Sequence, residues 1–156
     1  MKKLLFVCSG NTCRSPLAEG IAKKIFPAEL LEGVEISSAG SSAIDGAPAS
    51  PLAADVAGRR SIDLTSHRAR FLDRSLVKDA DLIVTMGAKH RDTVGVIDPA
   101  ARRYTYLLTD FCEEETGDIP DPIGSGIDEY ERIYRVLEDC IRRMAERLRT
   151  FDGWKD

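Results

Sequence analysis

No apolar run in this sequence approaches 18 residues, so no segment reads as a membrane span. A basic excess is missing too. Twenty-two Lys and Arg stand against 26 Asp and Glu, a net charge of −4, and no basic stripe appears, which argues against a nucleic-acid partner. No pair of cysteines has the two-residue spacing of structural zinc sites, so zinc is not expected. The Gly-Lys-Ser/Thr ending of an ATP-binding loop is also absent. No repeat, low-complexity tract or linker divides the 156 residues, and residues 1–156 read as one domain. Met1 to Cys8 briefly imitates a signal peptide, but its apolar stretch is short and Gly10, Asn11 and Arg14 interrupt it. A reducing cytoplasm is the expected location, where Cys8, Cys13, Cys112 and Cys140 read as thiols.

What is present is an alternation of elements. Leu4 to Val7, Val34 to Ser38, Asp81 to Thr85 and Tyr104 to Leu108 read as short buried strands. Ser15-Pro16 reads as a capped helix start leading into Leu17, Ala18, Ile21, Ala22 and Ile25. Ser50-Pro51 opens a second helix, and Lys89 to Val96 a third. Tyr130, Ile133, Tyr134, Leu137, Ile141, Met144 and Leu148 mark one face of a long amphipathic helix whose other face is charged. Alternating strands and helices predict a three-layer α/β/α fold, a parallel sheet covered on both faces. In such sheets ligands bind beyond the carboxyl ends of strands, and the first strand ends at Cys8.

The segment that follows is Cys8-Ser9-Gly10-Asn11-Thr12-Cys13-Arg14-Ser15-Pro16. Joining a strand to a helix start, its main-chain amides can converge on an anion beside the positive helix end. Gly10 is expected to supply backbone angles closed to other residues, and Asn11 tolerates the left-handed region. Amide dipoles and Arg14 are expected to lower the Cys8 thiol pKa. Arg14 can grip two oxygens of a tetrahedral phosphoryl group. Nucleophile, amides and guanidinium together describe phosphoryl transfer to cysteine, and such a reaction needs a general acid. Asp121, in the rigid Asp121-Pro122 pair, is the candidate, with Asp118 its rival in the same loop.

Cys8 to Pro16, Ser38-Ala39-Gly40, Ser66-His67-Arg68-Ala69-Arg70 and Asp121-Pro122 together resemble the low-molecular-weight protein tyrosine phosphatases, in order over nearly the whole chain. The resemblance implies a flavodoxin-like fold with a four-stranded parallel sheet, and a metal-free mechanism through a phosphocysteine. It implies Cys8 as nucleophile, Arg14 as phosphate-binding arginine and Asp121 as general acid. It further implies Ser9, Gly10, Asn11, Thr12, Cys13 and Arg14 as the phosphate-binding loop, and Asn11, Ser15, Ser38 and His67 as the network that holds its shape. Cys13 matches a loop cysteine able to form a reversible disulfide with Cys8. His90 matches nothing functional and is expected at the surface.

Thr12 stands where tyrosine phosphatases of this family carry a bulky aliphatic residue, and Ile123 where they carry an aromatic one. Threonine suits a planar guanidinium better than a phenyl ring, and this feature resembles the bacterial protein-arginine phosphatase branch. The expectation is a monomeric phosphatase of phosphorylated proteins, arginine before tyrosine. Arsenate reductase, which needs resolving cysteines, and a non-catalytic phosphate-binding module are the alternatives. Cys112 and Cys140, far apart in sequence, argue against the first.

Overall fold

A computed structural model describes residues 1–156. The strands β1 (Lys2–Cys8), β2 (Val34–Gly40), β3 (Leu82–Thr85) and β4 (Thr105–Leu107) form one parallel sheet in the order β2-β1-β3-β4. The helices are α1 (Arg14–Ile25), α2 (Ala28–Leu31), α3 (Pro51–Gly58), α4 (Arg74–Asp79), α5 (Ala88–Ile97) and α6 (Ile127–Leu148). Two 3₁₀ turns, Pro99–Tyr104 and Leu108–Phe111, flank β4. The fold is the expected α/β type.

Side chains alternate across a strand, and this parity sorts β1 onto two cores. Leu4, Phe6 and Cys8 face one layer with Leu17 and Ile21 of α1, Val56 of α3 and the apolar stripe of α6. Leu5 and Val7 face the other, with Ala39, Ile83, Val77 of α4 and Val94 of α5. All seven residues of the predicted α6 stripe are buried. The nucleophile candidate is therefore rooted on the α1 side of the sheet, at the carboxyl end of a strand that has neighbours on both sides.

Several local expectations change. No pattern in the sequence marks α4, which Asp73 caps by accepting from the Leu76 N–H at 2.9 Å. Ser50 caps α3 as expected, accepting from Ala53 N–H. Ser15 does not cap α1. That helix begins at Arg14 with no side-chain cap, because the Ser15 hydroxyl is engaged with Cys8 and Asn11 instead. No helix is long and apolar enough to cross a membrane.

Candidate active site

The loop between β1 and α1 places Cys8 at its base, 2% exposed. Its Sγ lies 2.9 Å from Ser15 Oγ and accepts from the Asn11 N–H at 3.3 Å. The main-chain N–H groups of Gly10, Thr12, Cys13 and Arg14 have no acceptor within the protein. They lie between the end of β1 and the N-terminus of α1, where unpaired amides suit an oxyanion.

The residue that turns the chain is Asn11, at φ +55°, whereas Gly10 has no positive φ. The expectation for Gly10 is corrected: asparagine supplies the left-handed step because its side chain is bonded on every side. Asn11 is fully buried. Its Nδ2 donates to Ser15 Oγ (2.8 Å) and Ser38 Oγ (3.0 Å), and its Oδ1 accepts from Arg70 N–H (2.9 Å). His67 Nε2 lies 2.7 Å from the Asn11 carbonyl. The four residues expected to support the loop are thus brought together. Two partners were not foreseen. Glu19 accepts from Ser38 Oγ at 2.6 Å, and the Arg70 guanidinium donates to the Ser38 carbonyl at 3.1 and 3.2 Å. Nothing local marks Glu19, which meets Ser38 only because α1 packs beside β2.

Gly40 completes the loop's backing. A Cβ there would lie 2.8 Å from Asn11 N and 2.9 Å from Ala43 Cβ and would collide with the Ser9 carbonyl. Only glycine lets β2 approach the loop this closely.

Arg14 is nearly buried. Its Nη1 donates to the Ile119 carbonyl at 2.8 Å, and its Nη2 lies 3.4 Å from Asp121 Oδ2. These contacts aim the guanidinium and the Asp121 carboxylate at each other beside the nest. Asp121 is 44% exposed and accepts from the Ile123 N–H at 3.1 Å. Asp118 is committed elsewhere: its carboxylate accepts from Ala88 N–H at 2.8 Å and packs against Gly87 at the start of α5. Of the two carboxylates, Asp121 lies beside Arg14 and Asp118 is held at the start of α5.

Burial is the largest influence on the Cys8 thiol and pushes it above its ordinary value, while Ser15, Arg14 and the Asn11 N–H pull it down. The lowered thiol expected from the sequence is not found. Burial of the thiol at the base of the loop outweighs the pull of Ser15, Arg14 and the Asn11 N–H.

Cys13 Sγ turns to Ser50 Oγ (3.1 Å) and to the hydroxyl of Tyr130 (3.4 Å), and all four cysteines are free thiols. Burial first, then the Cys13 contact, push the Tyr130 phenol up to about 12. Thr12 is half-buried at the loop's edge, and Ile123 is 57% exposed.

His90 is a correction. It is 1% exposed, and its Nε2 lies 2.8 Å from Ser9 Oγ. The signal was available in the sequence, since His90 and Val94 share one face of α5, four residues apart. Cys112 and Cys140, distant in sequence, are neighbours in space, the Cys112 thiol against that of the buried Cys140. Cys112 opens onto a surface cleft with Glu114, Asp139 and Arg142, away from the Cys8 loop. No group of three His, Cys, Asp or Glu side chains is placed to hold a metal ion.

Comparison with known proteins agrees with this geometry. The family described as low molecular weight phosphotyrosine protein phosphatase matches residues 3–151. The chain is 36% identical over 145 residues to the low molecular weight protein-tyrosine-phosphatase Etp of Escherichia coli (strain K12), covering 93% of each. It is 36% identical over 148 residues to a protein-arginine-phosphatase of Geobacillus stearothermophilus, covering 95% of this chain and 97% of the relative. Among solved structures it superposes with a TM-score of 0.87, at 32% identity, on the YwlE arginine phosphatase, in a cysteine-to-serine mutant with a phosphorylated active-site serine. That alignment covers 96% of this chain and 97% of the other. The free amides around Cys8, the Arg14–Asp121 pair and this likeness over nearly its full length converge: the chain belongs to the low molecular weight phosphotyrosine protein phosphatase family, and it is a phosphatase.

Proposed function

We propose that this chain, acting as a single monomeric unit in a reducing cytoplasm, hydrolyses phosphorylated protein side chains through a phosphocysteine at Cys8, with phosphoarginine preferred. The observation that carries the mechanism is the convergence of Cys8, four free amides, Arg14 and Asp121 on one loop. The amides and Arg14 hold the phosphoryl oxygens, and they stabilise the transition state most because the equatorial oxygens then carry the developing charge. The entering dianionic phosphoryl group is the base that takes the Cys8 proton. Sγ then attacks phosphorus in line. The bond from phosphorus to the leaving nitrogen or oxygen breaks, and Asp121 gives that atom its proton. Water next attacks the phosphocysteine, Asp121 removes its proton, and the S–P bond breaks to release a thiolate that regains its proton from the departing phosphate. No metal or cofactor enters any step.

Preference for phosphoarginine is supported by Thr12, whose hydroxyl stands at the loop's edge, and by Ile123, an aliphatic rim residue. An arginine and a tyrosine phosphatase are equally identical to this chain, so overall likeness does not decide between them. Tyrosine is the second reading, supported by the 36% identity to the tyrosine phosphatase Etp. The test is the ratio of kcat/KM for phosphoarginine and phosphotyrosine peptides, in native protein and in Thr12→Ile. The native ratio should favour phosphoarginine, and Thr12→Ile should shift it toward phosphotyrosine by about 10- to 200-fold. A native preference for phosphotyrosine that Thr12→Ile leaves unchanged overturns it. A Cys8–Cys13 disulfide, the proposed oxidised form, requires Cys13 Sγ to leave Ser50 and Tyr130.

A further inference from the structure

One buried group near the loop is unaccounted for. His90 Nδ1 is the single buried side-chain nitrogen or oxygen in the protein with no hydrogen-bond partner. The ring reaches the loop through Nε2, 2.8 Å from Ser9 Oγ, the residue next to the nucleophile. Ser9 is half-buried, and its hydroxyl has no other partner in the protein.

Three protonation states of His90 fit this contact, and their costs differ. In the imidazolium, Nδ1 carries a buried N–H with no acceptor, beside the positive charges of Arg14 and Lys89. Asp118 and Asp121 oppose that effect without cancelling it, and burial first of all depresses the ring's pKa to about 4. With the neutral ring protonated at Nδ1, a buried donor is still orphaned. With the ring protonated at Nε2, only a lone pair is left unpaired. Orphaned buried N–H groups are rarer than under-satisfied acceptors. In that last state Nε2–H donates to Ser9 Oγ, which fixes the direction of the remaining Ser9 O–H. Its proton cannot then point at His90, which leaves it available to another acceptor.

We infer that His90 is a positioning residue, protonated at Nε2, which presents the Ser9 hydroxyl as an additional side-chain donor to a phosphoryl oxygen held in the loop. This inference rests on the phosphatase reading above and adds to it a contact from the Ser9 side chain, beyond the main-chain amides. Serine at this position gives the loop a donor that can rotate, and the buried imidazole supplies its fixed partner.

The test measures inhibition by inorganic phosphate, together with kcat and KM on an aryl phosphate, and thermal unfolding as a control of folding. Ser9→Ala should weaken phosphate inhibition on the order of tenfold, the effect of one hydrogen bond to a charged group, while Ser9→Thr should retain it. His90→Leu should weaken it similarly, His90→Gln should restore most of it through its amide donor, and Ser9→Ala/His90→Leu should be no worse than either single variant. Nitrogen NMR of the His90 ring should show the proton on Nε2. A proton on Nδ1, or unchanged phosphate inhibition in Ser9→Ala, overturns the assignment. These failures are separable from failure of the mechanism, since only the latter predicts an active Cys8→Ser.

Discussion

Replacing Asn11 by alanine removes three side-chain hydrogen bonds, to Ser15, Ser38 and the Arg70 N–H, and leaves a left-handed residue with a Cβ but no local compensation. At about 1 kcal/mol for each bond the loss is about 3 kcal/mol, and the left-handed alanine adds about 1 kcal/mol. A total of about 4 kcal/mol is a large fraction of the 5–15 kcal/mol that is typical of a domain of about this size. It corresponds to a fall in Tm of about 8–16 °C. Catalytic efficiency should fall about 100-fold as well, because the same bonds hold the amides and Cys8 in register. Asn11→Gly separates the two contributions. It forfeits the same bonds but relieves the backbone, so it should be more stable than Asn11→Ala by about 1 kcal/mol. Urea unfolding monitored by circular dichroism gives both values. If Asn11→Ala costs less than about 1 kcal/mol, or if Asn11→Gly is the less stable of the two, the network does not hold the loop as described.

Asp121→Asn should slow substrates with basic leaving groups by about 10²–10⁴-fold and activated aryl phosphates far less. Asp118→Asn should show no such grading, since Asp118 is bonded to Ala88 N–H. The reverse pattern in steady-state rates would exchange their roles. Gly40→Ala drives a methyl group into Asn11 N and the Ser9 carbonyl, and should cost about 1–3 kcal/mol in urea unfolding. It should cost activity too, and a fully active variant would show that the loop has slack. His90, with a pKa lowered to about 4, binds a proton more readily in the unfolded chain. Its contribution is therefore fully present above about pH 6.5 and is lost as pH falls toward 4. His90→Gln should flatten stability across that interval, and an unchanged pH dependence would place the ring in water.

The strands and the α6 stripe were legible because burial imposes a period, and a period survives in the order of residues. The loop from Cys8 to Arg14 was legible for a related reason. Its nucleophile, amides and guanidinium are contiguous, so their convergence follows from a strand meeting a helix. Ser15 shows the limit. In isolation a serine before proline caps a helix, and only the arrival of Asn11 and Cys8 at hydrogen-bond distance takes its hydroxyl away. Asp118 and Asp121 are alike in sequence and are distinguished by which groups α5 and Arg14 bring to them. The Cys8 thiol is pushed up chiefly by burial, which α1, α3 and α6 supply by packing over the end of β1. Along the chain His90 reads as a surface residue, and only the packing of α5 buries it beside Ser9. Sequence by itself determined the periodic elements and the contiguous loop. Which partner each polar group chooses, and hence each charge state, was decided only when distant segments met, because hydrogen bonds and desolvation act over a few ångströms of space regardless of separation along the chain.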